Sequence, residues 1–361
     1  ASSSAAMDYI RIITNAAGGL MRFLSRALAL LLLLLPLSGT AQQRVPHIYM
    51  LLYRGCEEAC QGFQDYFRKQ HLPVRFTVRD AAQDKQRVRQ LVAEARALRP
   101  DLLLTWGTTA TVEAVGTVGK IDPQRHITDL PVLFMIVSHP QAVGIVSNLA
   151  RPGRNVSGSL YLLPAETQLR AARSYMGFKR LGFIVNRAEV NSLASRDELR
   201  ALAPSFGYTL VERELPLDAA GKPDAVALPA LIAALAADKV DLLYLPPDSF
   251  LNSQRDVLTD TALTLQLPVF AAAEAPVVKS RALFGVVNKY GDVGRFTAYR
   301  AAQILYEGKR AGDLPIELPR RFSFLINLDV ARQLQRYPPL QLLDAAELIG
   351  SARQPVVEQH H

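Results

Sequence analysis

From His47 onward the chain alternates short, unbroken apolar runs with longer segments of helical period. "HIYMLLY" (His47 to Tyr53), "VRFTV" (Val74 to Val78), "DLLLTW" (Asp101 to Trp106) and "PVLFMIV" (Pro131 to Val137) read as strands. Glu57 to Lys69, Asp84 to Leu98 and Thr109 to Val118 read as the helices between them. Apolar runs without alternation, each separated by a helix, predict a parallel sheet covered on both faces. "ARPGRNVSGSLYLLP" interrupts the rhythm with Pro152, Gly153 and Gly158 around a short strand from Asn155 to Tyr161. The alternation then restarts, with helices at Ala165 to Tyr175, Ser192 to Pro204, Ala225 to Ala237 and Asn252 to Leu265. The strands among them are "RLGFIVN" (Arg180 to Asn186), "YTLVERE", "VDLLYLP" (Val240 to Pro246) and "LPVFA" (Leu267 to Ala271). Two α/β units of similar order therefore lie in tandem, repeated in architecture and not in sequence.

The remaining pattern is too short for a third domain. "ALFGVVN" is one more strand, a helix follows to Gly308, and "RRFSFLINLDVARQLQ" is a last strand and helix. The extra βα unit is expected to return to the first lobe, with the final strand crossing back to the second. The expected division is 42–157 with 285–320, then 158–284 with 321–350, leaving a tail at 351–361. The fold class is thus α/β, two Rossmann-like parallel-sheet lobes joined by a multi-crossing hinge. The cleft of such a pair faces the carboxyl ends of the strands, where open α/β sheets bind ligands.

Composition narrows the function. With 361 residues, 49% hydrophobic and 20% charged, the chain can bury two ordinary cores. Its formal charge of +8 is scattered among acids and forms no basic patch, so no nucleic-acid partner is expected. "MRFLSRALALLLLLLPLSGTAQ", from Met21, has Arg22 and Arg26 ahead of an apolar core of Ala27 to Leu37 and small residues at Gly39 and Ala41. This reads as a signal peptide cleaved near Ala41, since the run is well short of the roughly 20 residues of a membrane span. Residues 1–20 read as an extension ahead of it, an early start or a non-native addition. No cysteine follows the apolar run to carry a lipid, so a soluble, periplasmic protein is expected, not a lipoprotein.

Several stretches resemble one family. "DLLLTWGTTAT", "LPVLFMIVSHPQAVGIVSNLARPGRNVSG", "NRAEVNSLASRDELRALAPSFGYTL", "DLLYLPPDSF", "LPVFAAAEAPVVKSRALFGV" and "FSFLINLDVARQL" follow one another along nearly all of the mature chain. They are similar to the ABC transporter substrate-binding proteins typified by tryptophan and tyrosine importers. The resemblance implies the type I periplasmic binding protein fold and a monomer that captures an amino acid or related carboxylate for a membrane permease. The alternative is a sensory subunit that reports ligand to a membrane signalling system. Where the family usually has Asp-Pro after the fourth strand, this chain has Ser138-His139-Pro140. Where it often has "DYY", this chain reads Asn288-Lys289-Tyr290-Gly291-Asp292, which implies a different solute side chain.

Candidate contacts lie at strand ends. "GTTAT" offers Thr108 and Thr109 at a helix start, either as a carboxylate cradle or as plain capping. Ser138 and His139 could donate to a carboxylate or simply form a turn. The resemblance implies a role for Asn191 with Ser192. It also favours Asp248, followed by Ser249, as acceptor for an α-amino group, with Glu274 a second acceptor. Tyr53, Trp106 and Tyr290 are candidate aromatic walls. No nucleophile elbow, phosphate loop or dinucleotide fingerprint is present, so no enzymatic role and no cofactor are expected. The histidines are dispersed, His360 and His361 closing the tail.

Cys56 and Cys60, in "RGCEEAC", are the only cysteines. Zinc would need two more ligands, and none is placed nearby. In an oxidising compartment they are either bonded or free buried thiols. A bond needs a distorted first helical turn, because on a regular helix this spacing nears the upper limit of disulfide geometry. Its expected role is to brace a loop that holds Arg54 and Gly55 towards the solute.

Overall fold

The computed structural model describes residues 44–350. The proposed signal peptide, residues 1–20 and the tail with His360 and His361 lie outside the described residues. Both lobes lie within one compact unit that begins at Val45.

The first lobe is built on β1 (His47–Leu52), β2 (Arg75–Asp80), β3 (Leu102–Trp106), β4 (Val132–Met135) and β5 (Val156–Gly158), ordered β2-β1-β3-β4-β5. All four pairings are parallel. The helices α1 (Glu58–Lys69), α2 (Lys85–Leu98) and α3 (Thr108–Val115) connect them. Each helix has a local cause. In α2, Val88, Leu91, Val92 and Ala95 form the buried stripe, and the Asp84 carboxylate accepts from the Gln86 and Arg87 amides.

The second lobe adds α4 (Ala165–Tyr175), β6 (Arg180–Val185), α5 (Val190–Phe206), β7 (Thr209–Glu214), α6 (Leu228–Ala237) and β8 (Leu242–Leu245). The chain continues through α7 (Ser249–Ser253), α8 (Arg255–Thr264), β9 (Val269–Ala271), α9 (Ala275–Val278) and β10 (Phe284–Val287). After α10 (Tyr290–Glu307) come β11 (Ser323–Asn327), α11 (Leu328–Gln333), α12 (Leu340–Leu343) and β12 (Ala346–Ile349). The sheet order is β12-β11-β10-β9-β8-β6-β7, parallel except between β10 and β11. Two apolar layers cover it. One holds Leu169, Phe183, Leu199 and Phe284, the other Leu228, Ile232, Leu235 and Leu258.

The expected return of a whole βα unit to the first lobe needs correction. β10 stays in the second sheet, and only α10 packs on the first-lobe core through Val293, Ala298 and Ala301. The cause is Phe284, which stacks on Tyr175 at 4.2 Å and meets Phe270 edge-on. The change of lobe therefore falls after Val287, not at 285. The predicted single helix at Asn252 to Leu265 is two helices, broken at Gln254. Pro204 does not end α5, which runs on to Phe206.

Three segments pass between the lobes, around 159–164, 288–289 and 314–321. They are tied together: Leu160 N donates to Glu317 O, and Asn288 Nδ2 donates to Tyr161 O.

Candidate functional site

The carboxyl ends of β1, β3 and β4 face those of β6 and β8 across the cleft. Between them lies a cavity enclosing about 270 Å³ of space not filled by protein, walled by both lobes and by the crossing residues Tyr161 and Tyr290. The lobes are closed on each other, tied across the cleft by Arg54 Nη1 to Ser249 O and by His139 to Glu198.

The first-lobe wall is built around Arg54. Its side chain is 13% exposed, lies over the Trp106 ring at 5.1 Å and donates through Nη2 to Glu57 Oε2 at 3.0 Å. Nη1 crosses the cleft to the Ser249 carbonyl at 2.9 Å. Beside it, Trp106 Nε1 and Ser138 Oγ have no hydrogen-bond partner among the described residues. Thr108 completes this wall, its Oγ1 accepting from Ser138 N at 3.3 Å.

The second-lobe wall is complementary. Asp248 Oδ1 accepts from Leu251 N at 2.8 Å, and its Oδ2 has no partner. Asn191 Nδ2 donates to Glu189 Oε2 and Pro247 O, and Asn252 Nδ2 to Pro246 O and Asp248 O. Both amide orientations are thus set by their own networks, which leaves Asn191 Oδ1 and Asn252 Oδ1 as partnerless acceptors. Buried polar atoms without partners are rare because each costs about 1–3 kcal/mol. Setting aside Arg54 Nε, which lies 2.9 Å from Glu57 Oε1, five of them here belong to residues around one cavity, with N–H and O–H donors on one lobe and acceptors on the other.

Of the residues singled out in the sequence, Arg54, Trp106, Thr108, Ser138, Asn191, Asp248, Ser249 and Tyr290 line this cavity. The others do not. Tyr53 is buried behind it, its hydroxyl donating to Gln83 O at 3.0 Å. Gly55 forms the turn after β1 at φ 55°, and Thr109 points into the protein. Ser192 Oγ accepts from Asn186 N at 3.2 Å. His139, at φ 54°, leaves the cavity to meet Glu198 across the lobes at 2.8 Å. Glu274 accepts the Tyr290 amide at 2.8 Å, and burial pushes its carboxyl upward. Tyr161, edge-on to Tyr290 at 5.7 Å, and Asn252 were missed. Asn252 is one helical turn after Asp248, a spacing that could have flagged it.

A larger groove, about 1630 Å³ on the same measure, lined by Val137, Leu160, Leu162, Val190 and Leu193, adjoins the cavity. It is mostly aliphatic, its polar lining being Gln141, Asp197 and the His139–Glu198 pair, and of its described residues only His139 leaves a buried polar atom without a partner, so the interlobe cavity is the better site.

Cys56 and Cys60 are bonded, with Cα atoms 5.2 Å apart. Cys56 precedes α1, where Glu57 is extended, and this departure from helical geometry brings the two within reach. The bond closes the turn between Arg54 and α1. The Cys56→Ser, Cys60→Ser double variant should lose about 2 kcal/mol of stability and bind solute about threefold to tenfold more weakly. Unchanged affinity in a calorimetric titration, with the stability loss alone, would remove the bond from the binding loop.

The model of a family described as ABC transporter substrate binding protein matches residues 50–347. A curated relative, a tyrosine-binding protein of Clostridioides difficile, is 28% identical over 224 residues, 62% of this chain. The match likewise spans 62% of that relative's length. A conserved domain protein of Vibrio cholerae superposes with TM-score 0.75 at 22% identity, over 85% of this chain and 100% of that one. An ABC domain in complex with L-Trp from Streptococcus pneumonia gives 0.71 at 21%, over 84% and 99%. A ligand-free, open substrate-binding protein with adhesive properties from Clostridium difficile gives 0.63 at 23%, over 85% and 100%. These structural likenesses establish the two-lobed fold.

Proposed function

Because the chain belongs to the ABC transporter substrate binding protein family, we propose that it captures an amino acid or close zwitterionic relative between its lobes. The closed form then delivers the solute to the membrane permease of an ABC importer. The observation that carries this reading is the division of unpartnered polar atoms across the cavity. Trp106 Nε1 and Ser138 Oγ, with Arg54 beside them, suit a carboxylate. Asp248 Oδ2, Asn191 Oδ1 and Asn252 Oδ1 suit an ammonium. Trp106, Tyr161 and Tyr290 flank the space left for the solute side chain. The tyrosine-binding relative and the L-Trp complex support an amino acid as the solute.

The proposed compartment is the periplasm. The Cys56–Cys60 bond supports an oxidising environment, and no helix among the described residues is long and apolar enough to cross a membrane. A thermal-shift screen of the amino acids, with L-tyrosine and L-tryptophan first, tests the reading. A solute at about 100 times its Kd should add about 2.7 kcal/mol, raising Tm by several degrees. No shift across the panel, with clean two-state melting, would overturn it.

A further inference from the structure

Two carboxylates share the second-lobe wall. Glu189 is 5% exposed and Asp248 1%. They take three consecutive backbone amides: Ser249 N and Phe250 N donate to Glu189, each at 2.9 Å, and Leu251 N donates to Asp248. With Asn191 Nδ2 as a third donor, both Glu189 oxygens are engaged as acceptors. Asp248 keeps one oxygen, Oδ2, without a partner at the cavity. Two like charges this close and this buried do not both ionise without large cost, and the proton settles where a free oxygen remains. Burial first, and the neighbouring Glu189 second, push the Asp248 carboxyl well above the usual carboxylate range.

The other groups facing Asp248 leave this intact. Arg54 is held by Glu57 on its own loop. Burial pushes the hydroxyls of Tyr53, Tyr161 and Tyr290 upward, which keeps them neutral. Asn186 and Ser192 lie close by with no formed hydrogen bond to Oδ2, and both act to lower the carboxyl, but less than burial and Glu189 raise it.

We infer that solute capture expels a proton: the cationic end of the solute replaces the hydrogen on Asp248 Oδ2. This rests on the cavity being the solute site. The step is an exchange, in which the neutral acid and a solute ammonium become a carboxylate–ammonium pair and one proton passes to the solvent. The sign follows from linkage. Binding is tied to a deprotonation, so affinity rises with pH, about tenfold per unit, while the pH lies below the Asp248 pKa of the free protein and above that of the complex. Acid favours release.

The test is calorimetric titration of the mature protein with L-tyrosine and L-tryptophan from about pH 6 to about pH 8, in buffers of different ionisation enthalpy. The expected result is net proton release on binding and a Kd that falls as pH rises, approaching about tenfold per unit where Asp248 is protonated in the free protein and ionised in the complex. Asp248→Asn, nearly isosteric with the protonated acid, should keep its melting temperature, bind more weakly and lose both effects. A second arm needs no solute: the infrared difference between wild type and Asp248→Asn should contain the carbonyl stretch of a protonated carboxylic acid. Binding without proton release, or with the same release in Asp248→Asn, overturns the inference and leaves the receptor reading standing. If neither amino acid binds, that reading loses its solute class, and the infrared band alone decides the protonation, its absence overturning the inference.

Discussion

Gly294→Ala should destabilise the protein by about 2–4 kcal/mol, a fall in Tm of roughly 3–6 °C for a chain of this size. Intrinsic propensity argues the other way, since alanine in a helix is worth about 1 kcal/mol over glycine. Packing wins because the obstacle is backbone. A Cβ at Gly294 would overlap the Ala59 carbonyl oxygen and sit 2.9 Å from the Phe63 amide, and one at Gly62 would overlap the Gly291 carbonyl. No rotamer change relieves such contacts, so α1 and α10 would have to separate. Gly177→Ala, where a Cβ meets nothing within 4 Å, is the control and should be nearly neutral. Equal melting of the two variants, read by circular dichroism, would mean that the helix contact yields freely. Because α10 begins at Tyr290 on the cavity wall, the Gly294 variant should also bind solute more weakly.

That close helix contact was not legible in the sequence, where Gly62 and Gly294 lie far apart within ordinary amphipathic patterns. The central strands were legible, because a strand buried on both faces must be a continuous apolar run, as β1 and β3 are. β12 was not. Its four residues, Ala346–Ile349, are half-buried or exposed at the sheet edge, and only pairing with β11 identifies them. The lobe of β10 was misplaced for a related reason: local pattern says that Phe284–Val287 is a strand, but only the aromatic stack around Phe284 says which sheet it joins.

The site divides similarly. Residues immediately after strands, such as Arg54, Thr108, Ser138 and Asp248, could be found because topology alone brings strand ends to the cleft. Direction could not be read. Ser138 faces the cavity while its neighbour His139 turns to Glu198, and Glu274 caps α10 instead of lining the space. Tyr161 lies in a crossing segment, where no strand or helix period marks a side chain as inward.

Arg54→Ala should weaken solute binding about thirtyfold or more, because truncating one partner of a buried charge pair costs about 2–5 kcal/mol. The guanidinium does three things at once. It neutralises Glu57, lies over Trp106, and reaches the Ser249 carbonyl of the opposite lobe. Alanine leaves Glu57 without that cation and removes an interlobe contact that exists only when the cleft is closed. Arg54→Lys should recover little. A lysine keeps the charge but cannot lie flat on the indole while donating in two directions. Calorimetric titration alongside thermal melting separates the readings. Lower stability with unchanged affinity in Arg54→Ala would make the residue a brace for its own loop. Loss of affinity in both variants, with only a small fall in Tm, would place it among the groups that hold the solute and close the lobes over it.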